Sequence, residues 1–239
     1  MIPVILAAGI SSRLRPLTNE TPKSLLQVGG SPLLQRILDS LYRNHFRTCV
    51  IVTGFHKEKI RDFVKGLSLP LSVEFAENPH FATTANNYSL WTAHPFVQGH
   101  DMLLMDADIL FDYRLLPLLI NSPHPNGLII RRTNHLGAEE IKVEVSEEGN
   151  VLRIGKHVRP EVAAGESIGI EKFDAATAEQ LFAILGRRKE RNEFYEASFQ
   201  EMIDDGVSMH AVDSEGLPCI EVDTMEDLAA ADELAHTML

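Results

Sequence analysis

Three groups of residues in this chain have types and spacings that could do chemistry. The first follows an apolar start and runs Ala7-Ala8-Gly9-Ile10-Ser11-Ser12-Arg13-Leu14-Arg15-Pro16, then Thr21-Pro22-Lys23. Gly9 admits close approach of backbone to an anion, the small Ser11 and Ser12 expose their amides, and Arg13 and Lys23 add fixed positive charge. Together they can cradle a polyphosphate. The pattern is not a Walker A loop, which needs Gly-Lys-Ser/Thr, nor a dinucleotide fingerprint, which needs three spaced glycines. An ordinary strand-to-helix turn would not require Arg13, Arg15, Pro16, Pro22 and Lys23 at these positions.

The second group is Asp106-Ala107-Asp108, directly after the apolar run Met102 to Met105. Alternation along the chain points both carboxylates the same way, and hard oxygen ligands at a strand end suit Mg²⁺. The third group could receive a second substrate. Lys142 within Glu140-Ile141-Lys142-Val143 and Lys156 at the end of Val151 to Gly155 could each face an acceptor phosphate. Asn86, Asn87 and Ser89 open a helix and offer amide and hydroxyl partners. Tyr195 and Glu196 combine an aromatic face with a carboxylate, a pairing that attracts ammonium groups. The alternative for this last segment, with Phe194 and Phe199, is packing of an amphipathic helix.

The elements that must hold these groups read as an α/β fold. Pro3 to Ala8 is a continuous apolar run, the signature of a strand buried on both faces of a parallel sheet. Ser31 is placed to cap, and Pro32 to start, a helix with Leu33, Leu34, Ile37, Leu38 and Leu41 on one face. Thr48 to Val52, Lys57 to Lys65, Leu71 to Phe75, Tyr88 to Ala93, Asp101 to Met105 and Tyr113 to Ile120 continue the alternation of strand and helix. This predicts a doubly wound, mostly parallel, Rossmann-like sheet, with Asp106 and Asp108 at its ligand-binding carboxyl edge. Gly127 to Arg131, Ile141 to Val145, Val151 to Ile154 and Ser167 to Ile170 are short strands that suggest a small antiparallel extension. Ala175 to Leu185 and Tyr195 to Met202 read as helices, Val207 to Val212 and Cys219 to Val222 as strands. Thr224 caps a final helix through Leu234.

The whole chain, 1–239, is expected to form one domain, since 44% of its 239 residues are hydrophobic and no linker or repeat interrupts it. A net charge of -12 argues against non-specific binding to nucleic acid or an anionic membrane, so a polyanionic ligand must meet a local basic site. No run reaches the roughly 20 apolar residues of a membrane span. Cys49 and Cys219 lack partners at metal-ligand spacing, which fits a reducing cytoplasm. The ten histidines form no metal-binding or nucleophile-base constellation. A homo-oligomer is compatible with all of this.

The segment from Leu6 to Lys23 resembles the signature loop of the sugar-phosphate and phosphocholine nucleotidyltransferase superfamily, LAAGxGxRLxPLTxxxPKxL, with Ser11 in place of the second glycine. The likeness extends over essentially the whole chain through Gly165-Glu166-Ser167-Ile168-Gly169-Ile170 and Glu193 to Phe199. It implies a nucleoside triphosphate held by Leu6, Ala7, Ala8, Gly9, Ser11, Ser12, Arg13, Lys23, Asn86, Ser89 and Asp106. It also implies a catalytic Mg²⁺ shared by Asp108 and Asp223, with Arg13, Lys23, Asp108 and Lys156 as catalytic residues. Capping of the last helix is the plainer role open to Asp223. By the same resemblance Lys156 matches a lysine that contacts sugar phosphate, and Asn87, Lys142, Lys156, Tyr195 and Glu196 form the acceptor side. Asn86-Asn87-x-Ser89 looks more like phosphocholine cytidylyltransferases than sugar-nucleotide enzymes, which favours CTP and a small phosphate or phosphonate acceptor. The competing expectations are a sugar-1-phosphate enzyme using UTP, GTP or dTTP, and an inactive nucleotide-binding regulatory subunit.

Overall fold

A computed structural model describes residues 1–133, 136–188 and 191–238. In chain order the strands are β1 (Ile2–Ala7), β2 (Gln27–Val28), β3 (Ser31–Pro32), β4 (Thr48–Thr53), β5 (Ser72–Glu77), β6 (Met102–Asp106), β7 (Ile109–Phe111), β8 (Gly127–Arg131), β9 (Lys142–Val145), β10 (Val151–Gly155), β11 (Gly165–Phe173), β12 (His210–Asp213) and β13 (Cys219–Glu221). The helices are α1 (Leu33–Arg43), α2 (Lys57–Gly66), α3 (Asn86–Thr92), α4 (His94–Val97), α5 (Leu115–Ile120), α6 (Ala175–Arg187), α7 (Glu196–Asp204) and α8 (Met225–Ala235).

Nine strands form one sheet in the order β10-β9-β11-β6-β1-β4-β5, with β8 beside β11 and β12 beside β8. β6, β1, β4 and β5 are mutually parallel, and β11 runs antiparallel to β6. The doubly wound sheet and the antiparallel extension are therefore both present, joined through β11. A register shift between Ser167 and Glu171 interrupts the pairing of β11 with β8. Such a bulge bends a strand, and this one lies beside the end of β6.

Burial on both faces follows from alternation along the strands. Val4, Leu6, Met102 and Leu104 face a core with Leu90, Val97, Phe182 and Phe199 from α3, α4, α6 and α7. Ile5, Ala7, Leu103 and Met105 face Leu34, Leu38, Ile60 and Leu116 from α1, α2 and α5. A third cluster joins Leu14, Val28, Leu33 and Val222 to Ala231 and Ala235 of α8.

The start of α1 departs from the sequence reading. Ser31 donates no cap; Ser31 and Pro32 are extended and pair with Val28 and Gln27, and the helix begins at Leu33. Gly29 and Gly30, with φ of 56° and 77°, make the two-residue turn that closes this hairpin, a conformation in which both residues need positive φ. Thr224 does cap α8, and its hydroxyl and the Asp227 carboxylate exchange bonds with each other's backbone amides in a capping box. Among the described residues no helix is long and apolar enough to cross a membrane.

Leu104 is fully buried in β6 between β1 and β11. Leu104→Ala is expected to cost about 2–5 kcal/mol of stability, measured by urea unfolding, with far-UV circular dichroism unchanged before the transition.

Candidate active site

The loop after β1, the carboxyl end of β6 and the chain after β13 converge on one cleft. A cavity of about 370 Å³ is lined by Leu6, Ala7, Ala8, Gly9, Ser11, Arg13, Lys23, Asn86, Ser89, Asp106, Asp108 and Asp223, together with Phe81, Thr84 and Phe194. Every residue assigned to the nucleotide from sequence lines it except Ser12. That serine is exposed and opens the 3-10 turn Ser12–Leu14. Ser11 stands where the family pattern has its second glycine, and it adopts the left-handed conformation, φ 54°. Its carbonyl accepts from Thr18 Oγ1 at 2.8 Å and from the Leu14 amide at 3.2 Å. These bonds hold a conformation that costs a serine more than a glycine.

The floor of the cleft is an ion cluster. Lys23 is only 7% exposed, and its Nζ donates to Asp108 Oδ2 at 2.7 Å and Asp223 Oδ1 at 2.6 Å. Arg13 Nη2 donates to Asp223 Oδ2 at 2.6 Å. Burial acts to lower the Lys23 pKa, but the charges of Asp108 and Asp223 outweigh it and hold the ammonium above the ordinary lysine range. Burial likewise acts to raise Asp223, while Lys23 and Arg13 hold it below the usual carboxylate range. The late strand reaches this point because β13 pairs with β7, setting Glu221 opposite Ile109, and the Val222 amide donates to the Asp108 carbonyl at 2.9 Å. Thr224 and Asp227 cap α8, leaving the Asp223 carboxylate to the cations.

Asp108, Glu221 and Asp223 each bring an oxygen within 4.8 Å of the others. Asp108 Oδ1 is buried with no hydrogen-bond partner. Three converging carboxylates with an orphaned oxygen fit a hard divalent cation. Glu221 carries no role in the sequence reading; its signal is its position two residues before Asp223, the interval that returns a strand to the same face. Glu221 is exposed as a residue, yet local desolvation of its carboxyl, with the charges of Asp108 and Asp223, holds it above the usual glutamate range.

Asp106 shares the cavity with Asp108 but has a different partner. Its Oδ2 accepts from the Tyr195 hydroxyl at 2.7 Å. Burial, reinforced by the charges of Asp108 and Glu171, holds its carboxyl well above the usual range. Gly169, at φ 70° beside the bulge of β11, makes room for it: a Cβ there would lie 2.8 Å from Asp106 Oδ2.

A smaller cavity of about 100 Å³ adjoins the first and shares Arg13, Asn86, Asp106, Phe194, Glu221 and Asp223 with it. Lys156, Tyr195 and Glu196 line it. Lys156 Nζ pairs with Glu139 at 2.9 Å and lies 5.1 Å from the centre of the Phe194 ring. Asn86 Oδ1 accepts from the Tyr195 amide at 2.9 Å, tying α3 to the start of α7. Tyr195 is also a core residue, 1% exposed and 4.9 Å from Phe199 between ring centres. It thus packs in the core, as one reading of its sequence expects, and also lines the smaller cavity. Phe194, read from sequence only as packing, is half exposed between the two cavities.

Two residues assigned to the acceptor side lie elsewhere. Lys142 lines neither cavity; it is buried, and its ammonium donates to the carbonyls of Gly137 and Glu140 at 2.9 and 3.0 Å. Its donors serve the loop before β9. Asn87 is buried and also lines neither cavity. Asn86 and Ser89, three apart on α3, share the face toward the cleft, and Asn87 is rotated off it by the helical period. Ser89 Oγ accepts from Asn78 Nδ2 at 3.0 Å, and the same amide donates to Thr84 Oγ1 at 3.0 Å.

The glycine-serine loop, the buried Lys23 and the late-strand Asp223 meet the Asp-x-Asp pair in one cleft, as expected from sequence for a nucleotidyltransferase. Residues 2–216 match the nucleotidyl transferase family, and the chain belongs to it. Choline-phosphate cytidylyltransferase of Streptococcus pneumoniae is 25% identical, over 97% of this chain and 96% of its own. 2-Aminoethylphosphonate cytidylyltransferase of Lancefieldella rimae is 22% identical, over 96% of this chain and 91% of its own. The solved structure of the inositol-1-phosphate CTP transferase from T. maritima superposes with a TM-score of 0.84, covering 99% of this chain and 95% of that one, at 21% identity. That likeness establishes a shared fold.

Burial pushes the Glu196 carboxyl up from 4.5 to about 7. The unfolded chain therefore releases this proton near pH 4.5 and the folded protein near pH 7, so folding favours the protonated form. The contribution of Glu196 to stability falls as pH rises through that window. Glu196→Gln removes this loss, so its melting temperature relative to wild type is expected to be higher at pH 8 than at pH 5. The comparison is read by differential scanning calorimetry.

Proposed function

We propose that this enzyme transfers CMP from CTP to a small phosphate or phosphonate acceptor in a Mg²⁺-dependent reaction that releases pyrophosphate. The observation that carries the reading is the ion cluster of Arg13, Lys23, Asp108 and Asp223 at the junction of two cavities. One cavity has the phosphate loop and the other has Lys156. The acceptor oxygen forms a bond to the α-phosphorus as the bond to the pyrophosphate oxygen breaks. The acceptor phosphate is already nucleophilic, so catalysis rests on in-line positioning and charge stabilisation rather than a general base. Lys23 and Arg13 stabilise charge on the α-phosphate, and Lys156 holds the acceptor phosphate. Asp108 and Asp223, with Glu221 beside them, would hold Mg²⁺, which supplies further neutralisation of phosphate charge.

The choice of CTP is supported by Asn86 and Ser89 facing the cleft and by two relatives, matched over nearly their full lengths, whose names specify cytidylyl transfer. The acceptor classes that fit are phosphocholine, 2-aminoethylphosphonate, and inositol or sugar phosphates. Retention of Lys23, Asp108 and Asp223 in one cluster argues against an inactive regulatory subunit.

A pyrophosphate-release screen of CTP, UTP, GTP and dTTP against these acceptors tests the reading. Turnover is expected with CTP and one acceptor class; turnover confined to another nucleotide with a sugar 1-phosphate would replace it. Lys23→Ala is expected to reduce kcat by about 10²–10³-fold, equivalent to about 2.7–4 kcal/mol, as for loss of a preorganised donor. Unchanged pyrophosphate release would remove Lys23 from the mechanism.

A further inference from the structure

We propose that Lys23 is also a positioning residue for the metal: its ammonium keeps the Asp108–Asp223 pair closed to a divalent cation until a nucleotide draws it away. This rests on the reading that these acids hold Mg²⁺. Of the four carboxylate oxygens in the pair, three accept from cationic donors. Lys23 Nζ takes Asp108 Oδ2 and Asp223 Oδ1, and Arg13 takes Asp223 Oδ2. Only Asp108 Oδ1 is left without a partner. The space between the two acids that would hold the metal is thus filled by a lysine head at 2.7 and 2.6 Å from their oxygens.

Mg²⁺ needs oxygens at about 2.0–2.1 Å. Placed between the same two oxygens, it would crowd the ammonium at a range where like charges repel strongly, and the burial of Lys23 limits screening by water and salt. The lysine and the metal therefore compete for one position. The competition has a natural release. The backbone of Lys23 is fixed in the turn Lys23–Leu25, with the Leu26 amide donating to its carbonyl at 3.0 Å, but four methylenes let the head move. A triphosphate in the cavity lined by Gly9 and Ser11 offers Lys23 and Arg13 a second anionic partner in the same cleft. Moving the cations onto phosphate frees the carboxylates, so nucleotide and metal must strengthen each other's binding by the same factor.

The test is binding of Mn²⁺, followed by the electron paramagnetic resonance signal of the free ion, to the intact protein with and without an unreactive CTP analogue carrying an α,β-methylene bridge. Wild type is expected to bind Mn²⁺ weakly alone and at least about tenfold more tightly with the analogue, a change of about 1.4 kcal/mol. Lys23→Met is expected to bind Mn²⁺ alone at least about tenfold more tightly than wild type does, and to gain less from the analogue. Lys23→Gln serves as the second variant if the methionine protein does not fold. Tight Mn²⁺ binding by wild type without nucleotide overturns the proposal and needs no variant. Failure of both proteins to bind Mn²⁺ even with the analogue overturns it together with the metal reading of the acids.

Discussion

The buried ion cluster around Lys23 is the interaction on which the site depends. Lys23 reaches acids 85 and 200 positions away in sequence, and Arg13 reaches across 210. Removing an ammonium from water is costly, and a buried charge is tolerated only when its partners are well placed. The cluster is therefore stable only if the loop after β1, the end of β6 and the approach of β13 are all formed. Local segments could not position it alone. In a chain whose net charge is -12, it places two cations, Arg13 and Lys23, in the cleft, each balanced by a carboxylate.

The fold supplies the required placement through ordinary packing. β1 and β6 lie side by side in parallel, so the phosphate loop and the Asp-x-Asp pair leave the sheet at the same edge. β7 then turns back to pair with β13 and brings Asp223 to Asp108. On the other side, the bulge in β11 and the missing side chain of Gly169 leave space for Asp106 to accept from Tyr195. That single bond links the end of β6, two residues before Asp108, to the segment that carries Phe194 and Glu196. Asn86 makes a second link between the two cavities through the Tyr195 amide.

Much of this was legible in the sequence where one local rule dominates. Apolar runs marked the buried parallel strands, Thr224 marked the start of α8, and the spacing of Gly9, Arg13 and Lys23 marked the loop. The rest depended on which way a side chain turns in the folded chain. Ser31 was a plausible cap, but Gly29 and Gly30 turn the chain so that Ser31 pairs with Val28. Lys142 stood on a strand like Lys156, yet nearby carbonyls capture its head. Asn87 looked equivalent to Asn86 until the helical period separated them. Glu221 lies two residues before Asp223, but the acids it joins come from distant segments, which the pairing of β13 with β7 brings together.

The most direct measurement is a crystal structure of the protein with Mn²⁺ and the α,β-methylene CTP analogue, using anomalous scattering to locate the metal. A peak at Asp108 and Asp223 is expected, with Lys23 moved onto the α-phosphate and cytosine near Asn86 and Ser89. A metal bound away from these acids, or Lys23 still wedged between them with nucleotide in place, would contradict it.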